Sequence, residues 1–134
     1  MATENQKWTE CFNEKFIEFL NDLITTFPDD KDFKMFKQSF NLVKLVDDKQ
    51  PLKYFRVYGP KYKKSVETKN EEFFLSHDFK EEIEEAKTEI RDSNISNQLM
   101  IKLKEYWKNL NEDNKEIIWK YLMLLYKIND KICI

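Results

Sequence analysis

One glycine, Gly59, serves the whole 134-residue chain, and that scarcity constrains the fold more than any other feature. Two-residue hairpins rely on glycine to reach positive φ, so a sheet built from tight hairpins has little to turn on. Phosphate-cradling loops need several glycines to let the backbone approach the ligand, which excludes Walker, dinucleotide and kinase glycine loops. With only 3 prolines and many Lys, Glu and Leu, the composition favours helix over sheet. Hydrophobic residues reach 41% and aromatics 15%, far richer than a disordered chain. A chain of this length makes one domain, 1–134, with an apolar core that needs no metal or disulfide staple.

Apolar spacing then places the helices. Thr3-Glu-Asn-Gln6 has capping-box spacing. Behind it Trp8, Phe12, Phe16, Leu20, Leu23, Ile24 and Phe27 recur at helical intervals and predict a long amphipathic helix that Phe27-Pro28 ends. Asp29-Asp30 suits the positive end of a second helix, with Phe33, Phe36, Phe40, Val43 and Val46 as its stripe. Pro51 fits the first turn of a third, faced by Leu52, Phe55 and Tyr58; Gly59-Pro60 must break it, and Tyr62 and Val66 continue an apolar face beyond. Phe73-Phe74-Leu75 is a short apolar knot, after which Ser76 or Asp78 can cap a helix carrying Phe79, Ile83, Ala86 and Ile90.

The closing stretch holds the densest apolar clusters. Ile95, Leu99, Leu103, Tyr106 and Leu110 line one helix; Ile117, Tyr121, Leu124 and Ile128 line the last, flanked by Ile118, Leu122 and Leu125. Asn111 to Asn114 supplies a turn and a cap, and so short a connection predicts an antiparallel hairpin docked on the first helix. Trp119 should pack within that hairpin or against the first helix. The expected architecture is all-α, a single bundle of roughly five to seven helices with a C-terminal antiparallel helix hairpin.

The basic segment from Pro51 to Lys69 stands out in charge. Lys53, Arg56, Lys61, Lys63, Lys64 and Lys69 face one acid, Glu67, leaving +5 here and −7 on the remainder of a chain of net charge −2. Rings interleave with the cations: Tyr54, Phe55, Tyr58, Tyr62. Single-stranded nucleic acid is held by that combination, phosphates by cations and bases by ring faces. Lys53, Arg56, Tyr58, Lys61, Tyr62, Lys63 and Lys64 are therefore the candidate anion or nucleic-acid site. The competing reading puts the rings in the core and lets the lysines reach outward from them.

Other chemistry finds less support. His77 is the single histidine, so any Ser–His or Cys–His pair would have to use it, beside a helix start where capping is the commoner role. Cys11, between Trp8 and Phe12, reads as a buried thiol, and Cys133 lies too far off in sequence to imply a disulfide. Zinc needs clustered Cys and His, and a di-iron bundle needs a second Glu-x-x-His; both are missing. Asp29, Asp30 and Asp32 offer oxygens to a hard cation but lack the loop glycine of an EF-hand, and acids are expected at a helix N-terminus anyway. The acidic run Glu81-Glu82-Ile83-Glu84-Glu85 can meet a basic partner or simply form a solvated helix face. No catalytic, cofactor or metal residue is assigned.

Met1 to Lys7 is polar with no apolar signal core, the run Tyr121 to Tyr126 is too short to cross a bilayer, and the terminal Lys131-Ile-Cys-Ile134 is no prenylation box. The expectation is an intracellular protein, neither secreted nor inserted in a membrane.

Four stretches have a recognisable grain: residues 16–30, FIEFLNDLITTFPDD; 70–79, NEEFFLSHDF; 103–107, LKEYW; and 108–122, KNLNEDNKEIIWKYL. Together they resemble small helical proteins encoded by giant nucleocytoplasmic large DNA viruses, and the Lys, Asn and Ile richness fits an AT-rich genome of that kind. The resemblance implies a helical fold and a host-cell setting, cytoplasm or nucleus. It carries no reaction and no site residue. The functional expectation is a non-enzymatic protein acting through protein–protein interaction; the alternative is a nucleic-acid or phosphate-binding module using residues 51–69.

Overall fold

The computed structural model describes residues 3–76 and 95–132. Among them run seven helices and no strand: α1 (Glu4–Thr26), α2 (Lys31–Val46), α3 (Gln50–Tyr58), α4 (Pro60–Glu67), α5 (Glu71–Ser76), α6 (Ile95–Trp107) and α7 (Glu112–Asp130). The all-α fold is the one the glycine scarcity demands. The expected helix through Phe79, Ile83, Ala86 and Ile90 lies outside the described residues, as do His77, the Glu81–Glu85 run and Cys133.

Helix boundaries follow local chemistry. Thr3 Oγ1 accepts the Gln6 N–H at 3.1 Å and opens α1. Pro28 bars the α conformation from Phe27, and α1 stops there with the Phe27 N–H on the Leu23 carbonyl at 2.9 Å. The Asp30 carboxylate accepts the Asp32 N–H at 2.9 Å and starts α2. Pro51 and Pro60 occupy the first turns of α3 and α4, where a missing N–H does no harm. Asn111 Oδ1 caps α7 through the Asn114 N–H at 2.8 Å.

Helix α1 is the hub. Phe12, Phe16 and Phe19 share one face at spacings of four and three, and each meets a different helix. Phe12 lies edge-on to Phe55 of α3 at 5.2 Å between centroids. Phe16 stacks on Phe40 of α2 at 4.7 Å, and Phe19 stacks on Tyr121 of α7 at 5.1 Å. Each buried ring contributes roughly 1.5–3 kcal/mol through removed apolar surface, so three rings fix three helices around one axis. Asn13, also buried, donates from Nδ2 to the Asp48 carbonyl at 2.8 Å and ties the α2–α3 loop to the same helix.

The closing helices divide their loyalties. They meet beside their turn, where Trp107 and Trp119 lie edge to face at 5.1 Å and both are buried. From there α7 runs along α1 and α4, while α6 packs on α2, α3 and α5. The hairpin is therefore not the packing unit: α7 docks on the first helix as expected, but α6 belongs to the layer of α2. Trp119 is buried, edge-on to Trp107.

Two faces are rotated from their expected positions. On α7 the buried side chains are Ile118, Trp119, Leu122, Leu125, Tyr126 and Ile128, whereas Ile117 is 44% exposed. Serving α1 on one side and α4 on the other requires a wider face, centred one residue along from the predicted stripe. On α2, Phe33, Phe36 and Phe40 are buried, but Val46 is 86% exposed. Successive spacings of three fall short of the 3.6-residue turn, so the stripe drifts off the buried side by the last turn.

Candidate functional site

The basic segment folds as α3 and α4, which meet at Gly59-Pro60. Phe55 and Tyr62 are buried, Tyr62 only 2% exposed and edge-on to Phe73 at 5.6 Å. The ring faces that the sequence offered as stacking platforms are thus core. Tyr54 is half-buried, and the Tyr58 side chain lies outside the described set.

The cations are drawn into the scaffold in turn. Arg56 reaches the C-terminal end of α7: Nε donates to Asn129 Oδ1 at 2.7 Å, and one Nη donates to the Asn129 and Ile132 carbonyls at 3.1 and 2.7 Å. Asn129 lies in the last turn of α7 and Ile132 just beyond it, where the helix dipole favours a cation. Lys63 pairs with Asp130 at 3.3 Å and Glu67 at 3.9 Å, Lys69 with Glu116 at 3.0 Å, and Lys53 with Asp47 at 3.7 Å. These ion pairs lie at the surface, the three lysines being 40–51% exposed. Lys61 and Lys64 are exposed, with Lys61 Nζ 5.5 Å from the Tyr62 ring centre. Of the seven candidate residues, Arg56 is a helix tether, Tyr62 is core, Lys53 and Lys63 are ion-pair partners, and Lys61 and Lys64 are exposed.

The acids at the start of α2 form a clasp. Lys102 of α6 lies 3.1 Å from Asp30 and 2.7 Å from Asp32, and Tyr106 donates its hydroxyl to Asp30. Burial pushes the Asp30 carboxyl up, but the Tyr106 hydroxyl, the Asp32 N–H and Lys102 outweigh it and hold the carboxyl below its usual range. Tyr106 is raised by the same hydrogen bond and by burial, and Lys102 is raised by Asp32 and Asp30 against its own burial. Two of the three carboxylates considered for a cation are so committed to a lysine. Among the described residues no group of three or more His, Cys, Asp or Glu side chains is placed to hold a metal ion. Cys11 is half-buried.

The sequence reasoning passed over a third feature. Leu42, Leu45 and Val46 are 58%, 82% and 86% exposed. Spacings of three and four put them on one side of the last turns of α2, away from Phe33, Phe36 and Phe40. The signal was present: Leu42 and Leu45 do not fit the stripe that Phe33, Phe36, Phe40 and Val43 define. Among the described residues the two leucines lie opposite the buried stripe and outside the core.

No family model, curated protein sequence or solved structure matches the chain. Among the described residues no helix is long and apolar enough to cross a membrane.

Proposed function

We propose that this is a non-enzymatic interaction protein that binds another protein through the C-terminal turns of α2. The observation that carries the reading is the outward stripe of Leu42, Leu45 and Val46, each more than half exposed. Scattered apolar side chains are normal on a surface, but contiguous ones on a single helix face mark docking sites. Among the described residues the clasp of Asp30, Asp32, Lys102 and Tyr106 is engaged in its own contacts. The resemblance in residues 16–30, 70–79 and 103–122 adds the setting: a host cell infected by a giant DNA virus.

The test compares proteins that co-purify with the wild-type chain and with the Leu45→Glu/Val46→Glu variant, expressed in the same cells. Loss of a defined protein from the variant, at unchanged helicity, is the expected result. Identical sets would remove the stripe from the binding surface.

The alternative, a nucleic-acid or phosphate ligand on residues 51–69, rests on the exposed Lys61 and Lys64. It requires the wild type to be retained on heparin or single-stranded DNA at low salt and the Lys61→Glu/Lys63→Glu/Lys64→Glu variant to be lost. Electrostatics without open rings makes any such binding weak and non-specific.

A further inference from the structure

We infer that the partner of the Leu42/Leu45/Val46 ridge is a protein groove with an apolar floor and a rim of carboxylates. This rests on the interaction reading above and adds the chemistry of the occupant. The ridge projects from a packed helix with anchors at i, i+3 and i+4, the pattern by which an amphipathic helix fills a groove; α2 therefore plays the inserted element and the partner supplies the concavity. The surroundings set the sign of the rim. Lys31 and Lys34 lie on the same solvent side of α2 toward its N-terminus, Lys44 lies within the ridge segment, and Lys49 follows in the loop; all are exposed. The acids nearby are largely occupied: Asp32 is held by Lys102 at 2.7 Å and Asp47 by Lys53 at 3.7 Å, which leaves Asp48.

A second copy fits poorly. Antiparallel pairing of two α2 ridges sets Lys34 of each copy toward Lys49 of the other, and facing like charges oppose association. An anionic bilayer fits less well than a carboxylate rim, because a continuous headgroup layer meets Asp48 together with the lysines, whereas a rim need face only the lysines.

The experiment uses designed probes. A cross-linked two-helix peptide with a leucine-lined groove and glutamate rims is titrated into the isotope-labelled full chain. Its counterpart has lysine rims. The expected result is shift changes centred on Leu42, Leu45 and Val46, with affinity about tenfold higher for the glutamate rim at low salt. Lys34→Glu/Lys49→Glu should reverse the preference, and Leu45→Glu/Val46→Glu should abolish binding to both, with the remaining spectrum intact. Equal affinity for the two rims, or shifts elsewhere on the surface, overturns the inference. So does tighter binding to phosphatidylserine vesicles, or a dimer in sedimentation that Leu45→Glu/Val46→Glu dissolves. If neither probe binds while that variant still loses its co-purifying protein, the rim chemistry fails and the interaction reading stands. If the co-purifying set is also unchanged, both fail.

Discussion

Arg56 separates two roles that the sequence left side by side, and its replacement gives the sharpest test of the fold. As a phosphate ligand, Arg56 would be dispensable for folding. As built, its guanidinium joins α3 to the end of α7 through hydrogen bonds to Asn129 Oδ1 and to the Asn129 and Ile132 carbonyls. A hydrogen bond involving a charged group contributes roughly 1.5–3 kcal/mol net when buried, and a cation at a helix C-terminus adds about 0.3–1 kcal/mol. The side chain is only half-buried and the bonds share one group, so they do not add in full. About 2–4 kcal/mol is the expected loss for Arg56→Ala. That is a large part of the roughly 5–15 kcal/mol that holds an ordinary domain.

Urea denaturation followed by far-ultraviolet circular dichroism measures it. The midpoint should fall with an unchanged slope, since the surface exposed on unfolding is the same. Arg56→Lys is the informative control. Lysine keeps the charge but lacks the planar fork, so it should recover only the smaller dipole part. A loss below about 1 kcal/mol for Arg56→Ala, or full rescue by lysine, would refute the tether. Heparin retention measured on the same variants then reads any phosphate role separately.

Three further substitutions test other joints. Trp119→Ala opens a cavity against Trp107 between the closing helices and should cost about 3–5 kcal/mol; a loss below about 1 kcal/mol in the same urea assay would contradict its burial. Gly59 has ordinary helical angles, φ −76° and ψ −34°, but a Cβ there would lie 2.5 Å from the Phe55 carbonyl oxygen. Gly59→Ala must shift the α3–α4 junction and should destabilise by about 1–3 kcal/mol, although alanine is the better helix former; a gain in thermal midpoint would sink the steric reading. Asp30→Asn keeps the helix cap but removes the charge facing Lys102. Because the Asp30 carboxyl is held below its usual range in the folded state, its contribution is present above about pH 4 and fades as pH falls through the folded value. The stability gap between wild type and variant, from melts across pH 2–7, should therefore close in acid; a constant gap would contradict the clasp.

How legible was this chain? Most helix ends were, because caps and breakers act over three or four residues: Thr3, Pro28, Asp30, Pro51, Gly59-Pro60 and Asn111 all do what their local chemistry requires, whereas α5 read only as an apolar knot and α6 stops at Trp107, short of Leu110. What is decided between helices was not. No spacing within residues 95–128 tells α6 to join α2 while α7 joins α1; that choice goes with Phe33 of α2 lying beside Tyr106 at 6.1 Å and Phe19 of α1 stacking on Tyr121 at 5.1 Å. Nor does composition reveal that a +5 segment will discharge itself on Asp130, Glu116 and the carbonyls at the end of α7.

The same blindness hid the ridge. Reading α2 for the stripe it buries finds Phe33, Phe36 and Phe40 and then asks nothing of Leu42 and Leu45. Yet a core stripe is explained by folding alone, and only the apolar residues it leaves over need another account. In the basic segment the leftover argument runs the other way. Each cation taken by an acid or a carbonyl of the scaffold is one fewer for a ligand, so a charge run loses functional weight as its partners are found. Applied together, these two subtractions favour the end of α2 over α3 and α4 as the proposed docking surface, because Leu42, Leu45 and Val46 stand exposed there.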